Sequence, residues 1–317
     1  MNSRDPTATI QKGDRALNDK NDHAFALEFR LRKLDPALHR RFLDAKWGLQ
    51  NILSDYTRIF PEYTDHSELH IMTVVDLCNR LIGPRITELN ADEIYCLLTG
   101  CYFHDIGMGI SRKDQEEFSR SIDLQSYAAR HPEADLSDQV RFYHHEYSGM
   151  FVRKYAPFFE FPTDAHLEAI VQIARGHRKT DLLNENEYPL SLAVPGGSVI
   201  CLPYLAALLR LADEADVTAA RNPLLLYDFD EATTDAQRMI NLRHMAVRRL
   251  DVSEDALTLF VDDSDPAVTE EVIQTAQKLK TTLDHCRAAV NGRTPHTIPQ
   301  REVQIRTEDR FFAVSGG

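Results

Sequence analysis

The chain has 317 residues with 36 basic and 49 acidic side chains, a formal net charge of −13 and a pI of about 5.4. A surface this acidic repels nucleic-acid backbones and anionic membranes, but a cation-filled cleft in it still attracts a small phosphorylated compound. The polar stretch 1–20 shows no secretory pattern, and the longest apolar run, Val199 to Leu209, contains Pro203 and is far shorter than the ~20 residues of a membrane span.

Residues 1–35 are polar and charged and read as an N-terminal arm, a mobile end or a short helix. From Pro36 to Ile59 the spacing of Leu38, Phe42, Trp47, Leu49, Ile52 and Leu53 predicts an amphipathic helix. Asp65 or Ser67 caps the next, which Gly83-Pro84 ends at Ile82; Asn90 or Ala91 opens one that ends at His104. Further helices are expected over Gln139–Tyr155, closed by Pro157, over Asp164–Arg175, capped by Thr163 or Asp164, and over Leu202–Ala220. Residues 180–197 read as an irregular loop.

After Asn222-Pro223 the pattern changes. Leu224–Asp230 alternates like a strand, Thr234–Arg243 looks helical, and Met245–Asp251 and Ala256–Val261 read as two strands around a Ser-Glu-Asp turn. A long helix over Glu270–Val290 and weak strands over Val303–Arg306 and Phe311–Val314 follow. The expected fold is therefore mainly α: a helical bundle over 36–222 with a small mixed α/β lobe over 223–317.

Five cysteines, Cys78, Cys96, Cys101, Cys201 and Cys286, contain no C-x-x-C and read as reduced thiols of a cytoplasmic protein; Cys96 and Cys101 are expected to fill core rather than bind metal. The chemistry lies elsewhere. His104-Asp105 stands at the end of an apolar helix, and Gly107 and Gly109 let the backbone turn away. Burying such a pair costs several kcal/mol unless something pairs it, and a divalent cation is the obvious partner. His70, His144, His177 and Asp213 also stand in or beside apolar helices. Imidazole and carboxylate without thiolate suit one or two ions of Mn, Fe, Zn, Co or Ni, with Mg left open.

The order H…HD…H…H…D resembles the HD superfamily of metal-dependent phosphohydrolases. The phrases Tyr63-Thr64-Asp65-His66, Phe103-His104-Asp105-Ile106-Gly107-Met108, Arg141-x-x-His144, Gly176-His177 and Leu211-Ala212-Asp213-Glu214 are most similar to its bacterial HD-CE branch, well over residues 40–220 and more loosely beyond. The resemblance implies that His70, His104, Asp105 and Asp213 hold one metal. In two-metal members the aspartate bridges to a second ion, here on His144 and His177, and a hydroxide shared by the ions attacks phosphorus in line. His66 or Glu146 is the candidate acid for the leaving group. Substrate assignments of better-known branches do not transfer. Met108 stands where cyclic-di-nucleotide phosphodiesterases have lysine and deoxynucleotide triphosphohydrolases usually have histidine, no Gly-Tyr-Pro occurs, and Met108-Gly109 replaces the Glu-Asp pair of alarmone hydrolases.

Plainer readings compete. Asp213 could pair with Arg210 or Arg178, and Glu146 and Asp216 could hydrogen-bond ligand histidines. Only one of His144 and His145 easily faces a site. Arg178, Lys179 and Arg112 are the cations expected to meet substrate phosphate, although solvated helix ends account for them equally well. The expected activity is phosphohydrolase or phosphodiesterase on a nucleotide or related phosphate ester. A non-catalytic nucleotide sensor and a metal-dependent nuclease are the alternatives. A small phosphorylated partner is expected, with membrane and nucleic acid disfavoured and homo-oligomerisation left open.

Overall fold

The structure, a computed structural model, describes residues 26–54, 68–122, 127, 129–133, 136–218, 246–262, 266–307 and 311–314. The expected strand at 224–230, the expected helix at 234–243, the 222/223 boundary, and His66 with its neighbouring cap residues lie outside them.

The first described helix is α1 (Ala26–Leu34), within the expected arm. Leu27 and Leu31 are fully buried, and the Leu27 N–H donates to Asn79 Oδ1 at 2.9 Å. In α2 (Pro36–Ser54), Leu38, Phe42 and Leu49 face the core, but Trp47 is 69% exposed and does not belong to that face. α3 (Glu68–Ile82) stops where Gly83 takes a positive φ of 55°. Asn90 caps α4 (Ala91–Phe103) in a reciprocal box with Glu93, and almost all of this helix is buried. After a short 3-10 turn, Ile106–Met108, comes α5 (Arg112–Phe118), capped by Ser111.

α6 spans Leu136–Phe159. It passes through Pro157 rather than closing before it, because the proline lies in the last turn, where few hydrogen bonds remain to lose. Thr163 caps α7 (Asp164–Gly176). The loop expected at 180–197 is interrupted by a small hairpin, β1 (Leu192–Ala193) and β2 (Val199–Ile200), turned by Gly196 and Gly197 at positive φ. α8 (Leu202–Ala215) ends five residues before its expected end, where Asp216 leaves helical geometry at ψ 70°.

β3 (Val247–Val252) and β4 (Ala256–Val261) pair antiparallel. After α9 (Pro266–Val290), β5 (Glu302–Arg306) joins β4 in parallel and β6 (Phe311–Val314) joins β5 antiparallel, in the order β3-β4-β5-β6. A parallel pair needs a crossover segment between its strands, and α9 supplies it, packing on β5. One contiguous core joins sheet and helices, from Leu27 through α4 and α8 to Leu283 and Ile305. The fold is mainly α with a small α+β part. No described helix is long and apolar enough to cross a membrane.

Two close approaches set the site. A Cβ at Gly176 would lie 2.6 Å from Ala206 Cβ, so only glycine lets the end of α7 press against α8. A Cβ at Gly107 would lie 2.1 Å from the His144 carbonyl oxygen, so the turn after His104-Asp105 rests directly on the α6 backbone.

Candidate metal centre

Six side chains from five elements converge: His70 from α3, His104 and Asp105 from the end of α4, His144 from α6, His177 after α7 and Asp213 from α8. They form two groups that share Asp105. One is His70, His104, Asp105 and Asp213; the other is Asp105, His144 and His177. The donor atoms within each group lie within 4.8 Å of one another. Asp105 is 3% exposed and turns one oxygen to each group. Its Oδ2 lies 3.5 Å from His70 Nε2 and 3.3 Å from His104 Nε2, and its Oδ1 lies 3.2 Å from His144 Nε2 and 3.5 Å from His177 Nε2. Asp213 Oδ1 closes the first group, 3.5 Å from His70 Nε2 and 3.8 Å from His104 Nε2.

The backbone decides which nitrogen each histidine presents. Nδ1 of His104, His144 and His177 contacts the carbonyl oxygen three residues earlier, of Cys101 at 2.7 Å, Arg141 at 2.7 Å and Ala174 at 2.5 Å. A carbonyl only accepts, so each Nδ1 carries the proton and each Nε2 keeps its lone pair for the site. His104 and His177 both follow helix ends, where such carbonyls are free. Nδ1 of His70 donates instead to Asp216 Oδ2 at 2.6 Å, and Asp216 is itself buried.

This donor set fits a divalent metal. Nε2 of His144 and Nε2 of His177 lie 2.8 Å apart, and those of His70 and His104 lie 3.3 Å apart. Two lone pairs at such distances repel unless a cation draws both, and the chemistry of imidazole with carboxylate is that of Mn, Fe, Zn, Co or Ni. The two carboxylates favour positive charge in the cluster. Burial opposes charge on His104, yet Asp105 and Asp213 outweigh it and raise its pKa. Burial likewise opposes the charged form of Asp213, but His70, His104 and His177 hold its carboxyl well below the usual range. His177 is pushed down to about 4, first by burial, so it is neutral and ready to bind at neutral pH.

Neighbouring residues fix this arrangement. Ser148 Oγ donates to the His104 carbonyl at 2.6 Å and accepts the Gly107 N–H at 2.9 Å, holding the turn to α6. Asp114, held by Ser111, Lys154 and Tyr155, ties α5 to the same helix. Arg175 donates to both oxygens of Glu146, at 2.9 Å each, and joins the helices that carry His144 and His177. Glu146, a candidate leaving-group acid from the sequence, thus has both carboxylate oxygens engaged by the guanidinium. His145 is buried beside it, pushed down to about 2 by burial and by neighbouring positive groups, and its Nδ1 has no hydrogen-bond partner.

The three expected substrate cations divide. Arg112 is 91% exposed and pairs with Glu116 one helical turn on, at 3.2 Å, so it is a solvated residue. Arg178 and Lys179 line a cavity of about 560 Å³ that has His177 on one wall and α9 on another. Among the described residues neither has a carboxylate within ion-pairing distance. Lys179 Nζ sits 3.4 Å from the centre of the Phe142 ring, and its pKa is lowered, first by partial burial and then by Arg178, Arg130 and Lys278. Arg210 does not pair with Asp213; it donates to the Gly176 and Thr180 carbonyls, at 2.6 and 2.7 Å, and secures the segment after His177. All five cysteines are free and buried, and none joins the donor groups.

Ser148, Arg175 and the α9 residues of the cavity carry no recognisable motif. For Ser148 the available signal was its place one turn after His144 on the same helix face. No curated protein and no solved structure matches the chain. The HD-CE family model matches residues 60–296, which include all six donors. The chain belongs to the HD-CE family, and its buried His/Asp cluster fits an HD-type metal-dependent hydrolase.

Proposed function

We propose that the protein is a metal-dependent phosphohydrolase or phosphodiesterase acting on a nucleotide or related small phosphate ester. The observation that carries this reading is Asp105, whose two oxygens serve two adjoining donor groups. His70, His104, Asp105 and Asp213 would hold one divalent ion, and Asp105, His144 and His177 a second. Such ions, when bound, supply Lewis acidity toward phosphoryl oxygens and a water nucleophile active at neutral pH.

The chain's own residues do the rest. The i−3 carbonyls and Asp216 hold four imidazoles with Nε2 inward. The apolar helices around them exclude bulk water, so charge on the substrate is felt strongly. Arg178 and Lys179, without a carboxylate partner among the described residues and beside His177, are available to phosphate oxygens that face the cavity. With Glu146 occupied by Arg175, the proton for the leaving group comes from His66 or from solvent. The expected compartment is the cytoplasm.

The test is a panel of phosphate mono- and diesters and nucleotides incubated with purified protein and Mn²⁺. Cleavage that Asp105→Asn abolishes supports the reading. A panel untouched by protein shown to be metal-loaded overturns it.

A further inference from the structure

The cavity beside the cluster has a second wall that the motif does not explain. Lys278, Thr282 and His285 lie at successive turns of α9 and all line it, opposite His177, Arg178 and Lys179. In a chain of net charge −13, this cavity gathers Arg178, Lys179, Arg210 and Lys278 against two acids, Asp181 and Glu214. The acids are already engaged. Glu214 Oε1 lies 2.7 Å from Lys278 Nζ, and Asp181 Oδ1 accepts the Leu183 N–H at 3.0 Å. Lys278 is 64% exposed on a flexible stem and can leave Glu214 for an entering anion. The cavity thus carries four basic side chains against two acidic ones, with the basic groups on both walls.

We propose that α9 reads the substrate: Lys278 and His285 hold a second anionic group while the scissile phosphate lies at the His/Asp cluster, so the substrate carries at least two phosphates. The inference rests on the hydrolase reading for the position of the scissile group. It assigns the α/β part of the chain a role in specificity, through the helix that covers its sheet. The apolar residues of the cavity, Leu182, Leu183 and Ala288, leave room for an uncharged body beside the anionic groups.

The test is calorimetric titration of the full chain with AMP and with the non-hydrolysable α,β-methylene analogue of ADP, with no metal added. Metal content and melting temperature of each variant serve as controls for folding. The expected result is that the diphosphate binds about tenfold or more tightly than the monophosphate, the size of one added charge-assisted contact. Lys278→Ala and His285→Gln should each narrow that ratio, and the double variant should remove it. Equal binding of the two nucleotides by the wild type, or a preference that the double variant retains, overturns the proposal. The two readings fail separately: protein that prefers the diphosphate but cleaves no ester keeps the α9 assignment and loses the hydrolase reading, and active protein without the preference does the reverse.

Discussion

Gly107→Ala changes one hydrogen into a methyl group, yet it is directed at the seam between the two donor groups. The added Cβ would stand 2.1 Å from the His144 carbonyl oxygen and 2.7 Å from the Ser148 nitrogen, both backbone atoms of α6, whereas ordinary contact starts at 3.4 Å. Neither neighbour can swing aside, so the turn must retreat by about 1 Å. That retreat stretches the Gly107 N–H to Ser148 Oγ bond and carries Asp105 away from His144, now 3.2 Å apart. Overpacking of this kind costs ~1–3 kcal/mol, a fall in Tm of roughly 2–6 °C for a chain of this size. A shift of ~1 Å in a reacting geometry costs ~100-fold in rate. Differential scanning fluorimetry, metal content and ester cleavage would be read together, with Gly83→Ala as the control. That position has φ 55° and nothing within 4 Å of an added Cβ, so it should lose about 1 kcal/mol to backbone strain and no metal. The expected Gly107→Ala protein is folded and keeps the first metal, but is depleted in the second. Full occupancy of both with an unchanged Tm would refute the packing argument.

Other predictions follow from single contacts. Asp216→Ala frees His70 to rotate and should weaken metal binding by ~10–100-fold, measured by competition with a chromophoric chelator. Arg175→Ala and Glu146→Ala should each destabilise the fold while the double variant costs less than their sum, with a coupling of ~1–3 kcal/mol by urea unfolding; an additive pair would contradict the bridge. His145 has a folded pKa pushed down to about 2, far below the ~6.5 of an unfolded histidine. Between those values only the unfolded chain takes up this proton, so stability falls as pH drops below about 6.5. The loss should reach about 3 kcal/mol at pH 4.5, and in metal-free protein His145→Gln should flatten that slope. An equal loss of unfolding free energy between pH 7 and 4.5 in wild type and variant would count against a buried neutral imidazole.

The donors were readable because each sits where an apolar helical pattern makes a polar residue anomalous. His104-Asp105 and Asp213 would be costly in such surroundings without a metal, and their order along the chain carried the family resemblance. Capping chemistry narrowed the starts of α4 and α7 to Asn90 or Ala91 and to Thr163 or Asp164, of which Asn90 and Thr163 are the caps. What escaped depends on contacts between distant segments. Glu146 looks like a spare acid until Arg175, 29 residues on, takes both its oxygens. Arg112 and Arg178 look alike beside their motifs, yet one faces solvent and the other a cavity that α9 completes. α8 ends early because Asp216 turns to meet His70, 146 residues earlier in the chain. Periodicity contains no record of that bond.

The proposed chemistry requires Asp105 to join two metal positions. Its most direct test is metal content per chain, by elemental mass spectrometry, for the wild type and Asp105→Ala after loading with Mn²⁺ and removal of free ion. Close to two ions per wild-type chain are expected, with a loss of both, or nearly both, in the variant. A wild type that retains no metal after loading, or a variant that binds as much as the wild type, would contradict it.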